Sequence, residues 1–254
     1  MRDILQAVAA GELSPEAAEA QLSGYATVDA GRFDAARQQR SGVPEAILAT
    51  GKTPAEIVTL AETSLETTGR AIVTRLSDPS PVSEGTQAEY PDVTIDRHDR
   101  AETLVAYRPS FDHPDLDASV AVVTAGTSDA APAGEAAVIL REIGATVERV
   151  DDVGVAALTR LTDRLPELRA HDVLIVVAGR EGALPTVVAG LVDIPVIGVP
   201  ASTGVGFGGG GAAALAGMCQ SCTALTVVNI DAGFTAGVQA GLIARLLDDA
   251  RGDE

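Results

Sequence analysis

The chain has no tryptophan, one lysine and two cysteines, and aromatic residues make up 3% of its 254 positions. Two cysteines cannot build a disulfide framework, which points to a reducing compartment. No apolar stretch approaches the ~20 residues of a membrane span. The start, "MRDILQAVAAGELSPEAAEAQL", is broken by Gly and Pro and lacks a leader's apolar run. A cytoplasmic protein is therefore expected. Basic residues are scarce: 18 face 36 acids, for a net charge of −18. A nucleic-acid groove or an anionic membrane surface needs the opposite sign, so neither partner is expected. Lysine scarcity with abundant acid fits a surface adapted to high salt, where self-repulsion is screened. An acidic protein from a GC-rich genome is the plainer alternative.

What is present falls into two halves. Up to about residue 110 the chain is polar, with helical stretches at 2–10, 15–22 and 54–69 and strand-like "AIVTRL" and "ETLVAY". The stretch "SDPSPVSEGTQAEYPD" (77–92) reads as a surface loop, and "RPSFDHPDLDAS" (108–119) as a linker. Beyond it apolar runs at 119–125, 145–150, 172–179, 194–200 and 225–230 alternate with helical stretches at about 132–143, 154–166, 183–190, 209–221 and 233–249. Such alternation, with runs apolar on both faces, predicts a parallel sheet covered on both sides. The expected fold is α/β: a smaller N-terminal α+β domain (1–115), then a three-layer, flavodoxin-like parallel sheet (116–254). Ligands of such sheets bind beyond the carboxyl ends of the strands, so the residues after each strand matter most.

Three of those segments stand out. "AGTSDAAPAGEAA" (125–137) places Gly126, Thr127, Ser128 and Asp129 at a helix start, where small residues, hydroxyls and N–H groups suit a phosphate; ordinary capping is the plain alternative. "AGREGALP" (178–185) sets Gly179, Arg180 and Glu181 past the most apolar strand. "GVGFGGGG" (204–211) matches G-x-G-x-x-G through Gly204, Gly206 and Gly209, with Gly208 inside it. It follows the fourth strand of its domain and not the first, so it reads as a general phosphate or carboxylate loop before a dinucleotide fingerprint.

Cys219 and Cys222 close a helix, the end whose dipole raises a thiol pKa, and the scattered histidines (His98, His113, His171) lack ligand spacing. Metal and dithiol chemistry fall away, leaving one nucleophilic thiol or buried filler.

"TAGTSD", then "VVAGREGALPTVVAGLVDIPVIGVP", resembles the PurE family of aminoimidazole-ribonucleotide carboxylases and mutases, with its G-S-x-S-D loop and A-G-G-A-A-H-L-P-G…P-V-I-G-V-P stretch. That family's S-A-H-R-T loop is replaced here by "VDDVGVAALTRL" (150–161), and the second motif lacks its histidine. "GVGFGGGGAAALAGMCQSC", "VVNIDAGFTAG" and "FDAARQQRSGVPEAILATGKTP" (33–54) together resemble LarB, the PurE-related family of nickel-pincer cofactor synthesis. The likeness spans roughly residues 24 to 245, and Lys52, the lone lysine, falls in its N-terminal signature.

The LarB resemblance implies carboxylation and hydrolysis of nicotinic acid adenine dinucleotide. CO2 adds at C5 of the pyridinium ring and the phosphoanhydride is cleaved, giving pyridinium-3,5-biscarboxylic acid mononucleotide and AMP. The family's cysteine matches Cys222, leaving Cys219 as filler. A thiolate adding beside C5 turns the ring into an enamine and makes C5 nucleophilic; after CO2 adds, a base removes the C5 proton and the thiol leaves. On this reading Cys222, Glu181 and Asp129 are catalytic. Asp34, Arg37, Arg40, Lys52, Gly126, Thr127, Ser128, Gly179, Gly204, Gly206 and Gly208 bind substrate. Mg2+ is expected for the anhydride cleavage, with Asp231 the ligand to examine, CO2 or bicarbonate is co-substrate, and a homo-octamer is implied. The alternatives are a ribonucleotide carboxylase or mutase of the PurE kind and a dinucleotide-binding protein without turnover.

Overall fold

Helix-starting and helix-ending residues set the frame of the N-terminal unit. The computed structural model describes residues 2–252 and divides at Asp112 and His113 into two units. In the first, α1 (Arg2–Ala10) leads to α2 (Pro15–Ser23). There the Ser14 side chain accepts from the Ala17 N–H and Gly24 ends the helix in a left-handed conformation. A small antiparallel pair, β1 (Ala26–Val28) and β2 (Gly31–Phe33), precedes α3 (Arg37–Ser41) and β3 (Ile47–Leu48). Next, α4 (Pro54–Thr68) starts from a capping box of Thr53 and Glu56. It is followed by β4 (Arg70–Thr74), α5 (Ser80–Glu89), β5 (Thr94–His98) and β6 (Thr103–Tyr107). The four-stranded sheet runs β3-β4-β6-β5, parallel only at β3-β4. Leu65, Val73 and Leu104 are fully buried between it and α4.

The segment read as a surface loop at 77–92 instead contains helix α5. Its prolines sit at the start, where a missing N–H costs no hydrogen bond, and Asp78 Oδ1 accepts from the Ser80 N–H at 3.0 Å. Val82 and Thr86, one turn apart, are buried, and a Cβ on Gly85 would lie 2.8 Å from Val58. The absence of a side chain at Gly85 admits the close approach of α4.

The second unit alternates as predicted: β7 (Ser119–Thr124), α6 (Ala130–Ile143), β8 (Thr146–Val150), α7 (Leu158–Leu168), β9 (Val173–Ala178), α8 (Ala183–Ala189), β10 (Val196–Pro200), α9 (Ala212–Cys219), β11 (Thr226–Val227) and α10 (Gly233–Gly252). The last strand and α9 are shorter than the sequence suggested. Gly206, Gly208, Gly210 and Gly211 all take positive φ and hold their stretch out of the helix. All strands of the sheet are parallel, in the order β11-β10-β9-β7-β8. This is a flavodoxin-like arrangement that reverses at β7.

Alternate residues of β7 and β9 supply two cores. Val120, Val122, Ile175 and Val177 pack with Ala133, Ala136, Ala236 and Ala240 of α6 and α10. Ala121, Val123, Leu174 and Val176 pack with Leu161, Leu184 and Met218 of α7, α8 and α9. The result is three layers. Among the described residues no helix is long and apolar enough to cross a membrane.

Candidate active site

The strand order of the second unit places the ends of β7 and β9 beside each other at the reversal point, where such sheets leave a crevice. A cleft of about 280 Å³ opens there. Its walls come from four strand ends: Gly126, Ser128 and Asp129 after β7, Gly154 and Arg160 after β8, Gly179, Arg180 and Glu181 after β9, and Thr203 and Gly204 after β10. Six residues nominated from sequence therefore meet in one place: Gly126, Ser128, Asp129, Gly179, Glu181 and Gly204. Thr127, Gly206 and Gly208 do not line the cleft.

Asp129 is the best-defined group. It is 2% exposed. Its Oδ2 accepts from the Gly126 N–H at 3.0 Å, and its Oδ1 accepts from the Thr203 hydroxyl at 3.2 Å. Burial raises its pKa above the ordinary carboxylate range, while the hydrogen bonds from Gly126 and Thr203 oppose the rise. A buried carboxyl held by hydrogen bonds on both oxygens suits proton transfer. Glu181 is exposed at the rim.

Backbone strain collects at this edge. In the second unit the non-glycine residues with positive φ are Asp152, Arg180 and Asp231, and each follows a strand end. Left-handed backbone is unfavourable for residues with a Cβ and tends to gather at functional sites. Gly204 has a packing reason of its own: a Cβ there would lie 2.6 Å from the Arg180 N. Arg160 and Thr203 were missed by the sequence reading. Arg160 sat in a segment judged by the histidine it lacked, and the role of Thr203 depends on a partner 74 residues away.

The other nominated residues are not among those that line the cleft. Cys222 follows α9 and precedes β11, so it stands at the amino edge of the sheet, where Thr223 approaches Gly190 at the end of α8. The cleft is at the carboxyl edge and neither cysteine lines it. Both thiols are exposed, so Cys219 is no buried filler: it ends an eight-residue helix and is open to solvent. In the N-terminal unit, Arg37 pairs with Glu45 at 2.7 Å and Arg40 with Asp34 at 2.5 Å. The Lys52 ammonium donates to the Leu48 carbonyl at 2.7 Å. Each of these contacts is made within the first unit.

Asp231 Oδ1 accepts from the Ser202 N–H at 2.9 Å, anchoring the start of the glycine-rich loop. No cluster of three or more His, Cys, Asp or Glu able to hold a metal occurs among the described residues.

Comparison with known proteins agrees with this division. Residues 25–107 match a family model described as the LarB/PurE-like N-terminal domain, and residues 119–246 match one described as AIR carboxylase. An uncharacterized protein of Methanocaldococcus jannaschii is 38% identical over 97% of this chain and 98% of its own. A crystal structure of a singly substituted PurE2 from Treponema denticola covers 53% of this chain and 92% of its own, at 20% identity and a TM-score of 0.38.

Proposed function

The chain belongs to the LarB family, with an AIR-carboxylase-type C-terminal domain, and from that premise we propose that it carboxylates and hydrolyses nicotinic acid adenine dinucleotide. The products are pyridinium-3,5-biscarboxylic acid mononucleotide and AMP, with CO2 or bicarbonate as co-substrate. The observation that carries this reading over a PurE-type ribonucleotide reaction is the cleft's lining, which contains carboxylates and arginines but no histidine. Of the three histidines, His171 faces Glu148 at 3.2 Å just before β9, and His98 ends β5 in the first unit.

In this reading the Cys222 thiolate adds beside C5 and its electron pair makes C5 nucleophilic. C5 attacks CO2, Asp129 or Glu181 takes the C5 proton, and the thiolate departs as aromaticity returns. The raised pKa of Asp129 suits it to accept that proton. Water cleaves the anhydride separately. Mg2+ belongs to the proposal only as an ion arriving with the substrate's phosphates, which is its usual mode of binding.

Cys222 and the cleft stand at opposite edges of one sheet, so a single chain does not bring them together. A homo-octamer in which a second copy presents its Cys222 loop to the cleft removes that difficulty. The deciding experiment is mass spectrometry of the product formed from the dinucleotide and bicarbonate. A biscarboxylated mononucleotide with AMP supports the reading. Carboxylation of aminoimidazole ribonucleotide instead, or tight dinucleotide binding without AMP release, replaces it.

A further inference from the structure

An anionic ligand entering this chain meets repulsion, because 36 acids face 18 bases. The cleft itself carries the carboxylates of Asp129 and Glu181. Two lining residues are cationic, Arg160 and Arg180. Arg160 is already engaged, its Nη1 donating to Asp152 Oδ2 at 2.6 Å. Arg180 has no hydrogen-bond or ion-pair partner among the described residues, although acids outnumber bases two to one.

The backbone of Arg180 is held in place. Its φ of 48° is left-handed, a conformation that persists only where the surroundings impose it. Gly204 packs so closely on the Arg180 backbone that a Cβ there would lie 2.6 Å from the Arg180 N. On the other side Gly182, also at positive φ, leads into α8. A strained, fixed backbone thus presents an unpaired guanidinium at the rim of an otherwise acidic cleft.

We propose that Arg180 anchors an acidic group of the ligand, a carboxylate or a phosphate, in this cleft. A guanidinium offers two parallel N–H donors matched to either oxygen pair. The identity of the ligand rests on the proposed function; the anion site does not.

The test is calorimetric titration of the full chain and of Arg180→Gln and Arg180→Lys with three probes: inorganic pyrophosphate, nicotinic acid mononucleotide and nicotinamide mononucleotide. Arg180→Gln should bind the probe that Arg180 grips about tenfold more weakly or worse, and lysine should restore only part of the loss. Arg100→Gln, on the first unit's surface, should bind as wild type does. If both mononucleotides and pyrophosphate weaken together, Arg180 holds phosphate. If only the nicotinic acid form weakens, Arg180 reads the ring carboxylate. A wild-type chain that binds pyrophosphate through Arg180 but neither mononucleotide keeps the anchor and removes the pyridine reading. Arg180→Gln binding every probe within twofold of wild type, or a wild type that binds none of them, overturns the proposal.

Discussion

The Thr203 hydroxyl donates to Asp129 Oδ1 at 3.2 Å, joining the loop after β10 to the loop after β7 across 74 residues of chain. The bond favours the charged form of a carboxyl whose burial favours the neutral one. Thr203→Val should therefore push the Asp129 pKa further up and shift the acid limb of the kcat/KM profile to higher pH. It should also cost about 1 kcal/mol of stability, and Thr203→Ser should restore the profile. A Thr203→Val enzyme with an unmoved limb would show that the bond has no part in catalysis.

The same carboxyl makes stability depend on pH in a defined direction. The folded pKa of Asp129 is raised, so between the unfolded and folded values the folded chain binds more protons. Its burial thus becomes increasingly costly as pH rises through that window. Asp129→Asn removes the cost. The variant should melt above wild type at neutral pH, with the gap closing below the ordinary carboxylate range, and should lack activity throughout. Thermal melts at pH 4 and pH 7.5 check the sign.

Cys222→Ser should reduce carboxylation at least ~100-fold, because an alkoxide forms far less readily than a thiolate at neutral pH. AMP release should partly survive. Cys219→Ser should stay within about twofold in both activities. Because the thiol and the cleft lie at opposite sheet edges, co-expressing Cys222→Ser with Asp129→Asn should regenerate carboxylation in mixed assemblies. Inactive mixtures would mean that one chain supplies both groups.

Arg37 is spent on Glu45, a half-exposed pair at 2.7 Å. Arg37→Ala should lower stability by about 1 kcal/mol, and Arg37→Ala with Glu45→Ala should lose less than the sum of the single changes. If Arg37 also grips substrate, KM rises in the single variant and stays raised in the double. A KM within twofold of wild type in both confines Arg37 to bracing its own unit.

With a net charge of −18, subunits should repel most at low ionic strength, where the Debye length reaches ~30 Å at 0.01 M. Sedimentation should find an octamer at molar salt and smaller species at 10 mM. An octamer unchanged at 10 mM would remove the case for salt adaptation.

The alternation of apolar runs with helical stretches was enough to determine the parallel sheet, since strands buried on both faces must be apolar throughout, as Val120–Val123 and Leu174–Val177 are. Local motifs also foretold that Gly126, Ser128, Asp129 and Glu181 would end up near one another, because such loops follow parallel strands to a common edge. Helix α5 was obscured because Pro and Gly signal breaks when read locally, whereas here they mark a helix start and a close crossing with α4. The pairing of Thr203 with Asp129 and the approach of Gly204 to Arg180 were equally hidden, as each joins residues from different strand ends. The position of Cys222 is the clearest case. Its motif is what links it to the proposed carboxylation, but the crossover from β10 through α9 carries it to the opposite edge of the sheet. Spacing along a chain fixes which side of a strand a residue faces; only the path of the crossovers decides which residues share a cleft.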